Sequence, residues 1–173
     1  LAAVKMVLDL CNQNYWCIGS DVNEPDWPQY LAWAQKYVNL VNQVAPYKIA
    51  YLEPFRGSPS LIGDLKKITG NFIASFHDYC PTKITFQWVL QYPDKAYVYS
   101  DKFRKEHEKC LTPVVKFQKE TGRQIDVGEF AAVRWSGHPK TCNAQYWVHD
   151  SIAFYKKHNW SWIYLSYRGN NPW

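Results

Sequence analysis

Short apolar runs alternate with amphipathic stretches along most of this chain, and no other feature restricts its fold as much. The run YWCIGSDV, residues 15–22, reads as a buried strand that ends in a polar cluster. Leu31, Ala34, Val38 and Val41 then share one stripe of a helix from about Pro28 to Val44, and Pro28 suits its first turn. The pattern repeats with a strand over 48–52, a loop carrying Gly57 and Pro59, a short helix near 60–67 and a strand over 72–76. A longer connection, 78–100, leads into a helix over 101–121, which Pro113 is expected to kink or split and Gly122 to close. A fourth strand over 125–128, a helix over 141–158 and a fifth strand over 160–167 follow. Leu1, Val4, Leu8 and Cys11 place a further helix over 1–13.

Strands and helices joined by short connections build a parallel sheet, because consecutive parallel strands need a crossover between them. In such sheets the chemistry gathers at the carboxyl ends of the strands. The polar clusters of this chain fall there: Asn23 and Glu24, Glu53, His77 and Tyr79, Glu129, and Ser166 onward. Glu24 and Glu129 each close a strand, and two facing carboxyls are the minimum equipment for breaking a glycosidic bond. Taken alone, Glu24 before Pro25 also suits a helix start, and Glu129 after Gly128 suits an exposed strand end. Glu53 reads as structural or as support for the site. His107, His138, His149 and His158 read as surface residues on helices or loops.

At 173 residues the chain forms one domain, 1–173, long enough to bury a core. Aromatic residues make up 17% of it, with nine tryptophans, and flat amphipathic rings suit the C–H faces of sugars as well as a core. The net charge of +5 is spread along the chain. Its densest basic patch, Lys102 to Lys109, alternates with acids as a solvated helix face does, so no nucleic-acid partner is expected. No stretch approaches the roughly 18 apolar residues of a membrane-spanning helix, so no membrane partner is expected. Cys11, Cys17, Cys80, Cys110 and Cys142 have no metal-ligand spacing. Most read as buried thiols, with one or two disulfides open, and an odd count leaves at least one outside any intrachain pair. The opening LAAVKMVLDL reads as a mature or truncated start rather than a signal peptide.

In order along the chain, Asp21-Val22-Asn23-Glu24-Pro25, Ser75-Phe76-His77-Asp78-Tyr79, Val127-Gly128-Glu129-Phe130 and the closing Trp162 to Arg168 resemble the motifs of glycoside hydrolase family 5. These are the cellulases, which fold as (β/α)₈ barrels. The resemblance covers nearly the whole chain and corresponds to strands four to eight of the family. It implies an incomplete TIM-type barrel of about five parallel βα units, since a full barrel takes about 250 residues. The family's first three strands, with an arginine and a histidine beside the nucleophile, have no counterpart, and Leu165 stands where related sequences carry a polar or aromatic residue.

Carried over position by position, the resemblance implies that Glu24 is the general acid/base and Glu129 the nucleophile. Asn23 would bond the sugar 2-hydroxyl, Tyr79 would hold Glu129, and His77 would line the subsite beside the scissile bond. Trp162 would stack a sugar ring or pack in the barrel wall; Arg134 and Trp135 would border the cleft, and Trp173 would stack substrate or fray. The implied activity is that of a retaining β-glycoside hydrolase of endo-β-1,4-glucanase type acting on β-linked glucan. The alternative is a glycan-binding or weakly active remnant. No cofactor or metal is called for. A secreted location is expected, as is a homodimer pairing edge strands 16–22 and 160–167 to complete the open barrel. A flavodoxin-like domain is set aside because no glycine-rich phosphate loop is present.

Overall fold

Four of the expected strands lie side by side in one parallel sheet. The computed structural model describes residues 27–87, 97–133 and 143–165. Strands β1 (Ala50–Leu52), β2 (Phe72–Asp78), β3 (Ile125–Phe130) and β4 (Ser161–Tyr164) pair in that order, each parallel to the next. Spatial order follows chain order, as in the wall of a (β/α) barrel, where each strand is laid down beside the last. The expected strand over 15–22 and helix over 1–13 lie outside the described residues.

The helices are α1 (Trp27–Val44), the four-residue α2 (Thr82–Thr85), α3 (Asp101–Thr121) and α4 (Ala144–Lys157). The short helix expected near 60–67 is a 3₁₀ helix over Pro59–Lys67, preceded by a 3₁₀ turn at Phe55–Gly57. On α1 the expected stripe of Leu31, Ala34, Val38 and Val41 is buried. It packs in one core with Leu52, Phe72 and Phe76 of the strands and Leu111, Val114 and Phe117 of α3. Each of the Leu, Val and Phe side chains contributes roughly 1.5–3 kcal/mol on burial, so this outer layer holds the sheet in place.

Pro113 does not split α3, which runs unbroken from Asp101 to Thr121. The proline removes one backbone donor, and its would-be acceptor belongs to Lys109, an exposed residue whose carbonyl can turn to water. Gly122 ends the helix at φ 67°, donating its N–H to the Gln118 carbonyl.

Alternation along each strand separates two faces. Ala74 and Phe76 of β2 face the helices and are fully buried. Ser75 and His77 face the other way, toward what would be the barrel interior. A polar row crosses that inner face. Ser75 and Asp126 are register partners, as are Asp126 and Ser161. The Ser161 hydroxyl donates to Asp126 Oδ1 at 2.5 Å. The Ser75 hydroxyl lies between Asp126 Oδ2 at 3.4 Å and Glu53 Oε1 at 3.3 Å, and donates to one at a time. Tyr51 and Ile163, on the same side of the sheet, are 51% and 59% exposed.

His107 is a correction to the sequence reading, because it is buried rather than on the surface. Its Nε2 lies 2.5 Å from Asp78 Oδ2, which also accepts from the Tyr155 hydroxyl at 2.6 Å. Asp78 Oδ1 takes the backbone N–H of Cys80 at 3.2 Å. One buried carboxylate thus ties α3 and α4 to the carboxyl end of β2. A disulfide between Cys80 and Cys110 also fastens α3 to the segment just beyond β2, and a closed loop of that size contributes about 3–4 kcal/mol in chain-entropy terms. Cys11, Cys17 and Cys142 lie outside the described residues. Among the described residues no helix is long and apolar enough to cross a membrane.

Candidate active site

The site is set by a bulge. Phe76 pairs with Val127, but the next residue of β2, His77, pairs with Glu129, so Gly128 is an extra residue in β3. Side chains alternate along a strand, so without the extra residue Glu129 would point into the helix layer. With it, Glu129 shares the inner face with His77. Only glycine fits at 128, because a Cβ there would lie 2.5 Å from Ser75 Oγ and 3.1 Å from Glu53 Oε1.

Three side chains converge on the result. Tyr79, just past β2, donates its hydroxyl to Glu129 Oε2 at 2.9 Å. His77 Nδ1 lies 3.3 Å from the same oxygen, and His77 Nε2 lies 3.3 Å from Glu53 Oε1. Glu53 follows β1 directly, so three adjacent strand ends supply the cluster. The ring of His77 rests on Gly57, where a Cβ would come within 2.5 Å of the imidazole and where φ is +61°. Both facts demand glycine.

The cluster is largely shielded, with side-chain exposures of 13% for Glu53 and His77 and 18% for Glu129. Burial acts to lower the proton affinity of His77. It is outweighed by the bond to Glu53 and by the charges of Glu53 and Glu129, which raise the ring above its ordinary value. A depression of about 470 Å³ opens beside His77 and Tyr79, bordered by Arg56, Pro81, Thr82 and Glu106. Among the described residues no three His, Cys, Asp or Glu side chains are placed to hold a metal ion.

The arrangement is a carboxylate at a strand end, bonded by Tyr79 and faced by His77, both of which also line the depression. A sequence model described as cellulase, glycosyl hydrolase family 5, matches residues 8–171. The chain belongs to this family. No curated protein sequence matches it significantly. Solved structures of family 5 type share its fold. A hyperthermophilic endo-β-1,4-glucanase solved with substrate is 18% identical, with a TM-score of 0.65, over 80% of this chain and 46% of that one. Another endoglucanase gives 18% identity and a TM-score of 0.69 over 82% and 47%. Thermotoga maritima Cel5A with mannotriose gives 19% and 0.65 over 84% and 48%. The chain thus spans less than half the length of these structures, and the sheet is a partial TIM barrel.

Of the residues that the sequence singled out for a family 5 site, the fold brings His77, Tyr79 and Glu129 together. Asn23, Glu24, Arg134, Trp135 and Trp173 lie outside the described residues. Trp162 sits apart from the cluster. It pairs in register with Val127, on the helix-facing side, and its ring meets Phe130 edge-on at 5.7 Å. Those contacts suit a place in the wall, while the side chain itself stays 38% exposed. Sequence reasoning did not anticipate the contact of Glu53 with His77, nor the two glycines that shape the site. A glycine directly before the glutamate of a strand was the available signal for the bulge.

Proposed function

We propose that this chain carries the catalytic face of a retaining β-glycoside hydrolase of endo-β-1,4-glucanase type, acting on β-linked glucan. The observation that carries this reading is Glu129 at the end of β3, held by Tyr79 and His77 on the inner face. In the first step the Glu129 carboxylate attacks the anomeric carbon, and the leaving oxygen takes a proton from Glu24. A glycosyl ester on Glu129 results. In the second step Glu24 removes a proton from water, whose oxygen attacks the anomeric carbon and returns the electron pair to Glu129. This double displacement requires the two carboxyls about 5 Å apart. Asn23 would bond the 2-hydroxyl, and the depression beside His77 and Tyr79 would take part of the glucan chain.

The test is hydrolysis of soluble β-glucan and an aryl β-cellobioside by the wild-type chain, Glu129→Ala and Glu24→Ala. Turnover lost in Glu129→Ala supports the reading. Sugar binding without turnover in the wild type favours the alternative of a glycan-binding remnant, which the coverage of under half of the relatives' length makes worth testing. The exposed Tyr51 and Ile163 on the inner face favour self-association that closes the barrel. A strictly monomeric species in light scattering at micromolar concentration contradicts that part. The Cys80–Cys110 disulfide fits an oxidising, extracellular location.

A further inference from the structure

The imidazole of His77 meets a carboxylate at each nitrogen, Glu53 Oε1 at Nε2 and Glu129 Oε2 at Nδ1, both at 3.3 Å. A neutral imidazole has one N–H. It would donate to one carboxylate and turn a lone pair on the other. Protonation makes the Glu53 contact a charge-assisted hydrogen bond and sets a positive charge 3.3 Å from Glu129 Oε2. We propose that Glu53 is a positioning residue, which fixes His77 as the doubly protonated imidazolium and so aims a positive charge at Glu129. This rests on the reading of Glu129 as nucleophile and adds a residue that the double displacement does not itself employ.

Glu53 is held for the task. The Ser75 hydroxyl reaches its Oε1 at 3.3 Å, and the missing side chain of Gly128 leaves room for that oxygen. Gly57 packs closely against the ring, leaving no room there even for a Cβ. Among the described residues, the titratable and charged groups around His77 are Glu53 at the end of β1, Glu129 on β3 and Tyr79 beyond β2. Arg56 and Glu106 border the same depression. In the second step, the C–O bond to Glu129 breaks and its electron pair returns to a carboxylate. An imidazolium already facing that carboxylate stabilises it as it leaves.

The test follows the ring nitrogens of His77 through a pH titration of the ¹⁵N-labelled full chain, with His77→Gln for assignment. The expected wild-type result is two protonated ring nitrogens at pH about 6.5, the ordinary midpoint. In Glu53→Gln, which keeps the shape but removes the charge, the midpoint should fall by about one pH unit or more. A single protonated nitrogen in the wild type at that pH overturns the proposal without any variant. So does a midpoint that does not move in folded Glu53→Gln. Neither readout needs turnover, so an inactive wild type would count against the glycosidase reading and leave this one to be decided by the spectra.

Discussion

The Tyr79 hydroxyl donates to Glu129 Oε2 at 2.9 Å, linking the end of one strand to the carboxylate of the next. The bond fixes where that oxygen lies on the inner face. Tyr79→Phe removes the donor and keeps the ring, which also touches Phe86. A hydrogen bond to a charged group is worth about 1.5–3 kcal/mol, so kcat should fall roughly 10- to 100-fold. Steady-state kinetics check this, with KM expected to change little. Loss of folding, read by circular dichroism, is not expected.

Gly57 predicts a different kind of loss. Alanine there would place its Cβ 2.5 Å from the His77 ring at a φ of +61°. The ring must move, and displacing a group by about 1 Å in such a site can cost on the order of 100-fold in rate. Gly57→Ala should therefore lower kcat/KM far more than it lowers the thermal midpoint. Gly63→Ala serves as the control, since nothing lies within 4 Å of a Cβ there.

The raised proton affinity of His77 has a sign for stability. A group whose folded value lies above its unfolded value contributes fully below the unfolded value, about 6.5 for histidine, and the contribution is lost as pH rises through the higher folded value. The thermal midpoint of the wild type should therefore fall as pH rises across that interval. In His77→Gln the same interval should be flatter. Differential scanning calorimetry at closely spaced pH values measures both.

Much of this arrangement is legible in the sequence. The stripe on α1, the parallel order of the strands and the glutamate closing β3 follow from local periodicity and from motifs. The Gly128 bulge is not local, since it is defined only against β2 and depends on how Ser75 and Glu53 crowd position 128. His107 was misread from its charged neighbours, although His107, Leu111, Val114 and Phe117 share one buried helical stripe. The stripe was the better guide. The pairing of Cys80 with Cys110 depends on α3 lying over the end of β2, which spacing along the chain does not reveal.

That buried histidine gives the clearest stability prediction. Asp78 is fully buried and relies on His107, Tyr155 and the Cys80 amide. His107→Leu leaves one side of a buried carboxylate without its donor, a change that costs about 3–5 kcal/mol in comparable buried pairs. Tyr155→Phe removes a single donor and should cost about 1–3 kcal/mol. Urea denaturation should rank the variants in that order, both below the wild type.

The central claim is that Glu129 is the nucleophile, and a second carboxylate, Glu53, stands on the other side of His77 as a built-in rival. The most direct measurement is to treat the wild-type chain with an activated 2-deoxy-2-fluoro-β-cellobioside, which forms the glycosyl ester but releases it slowly, and to map the labelled peptide by mass spectrometry. The account predicts one adduct, on Glu129. An adduct on Glu53, or none from a chain that turns over aryl cellobiosides, would contradict it.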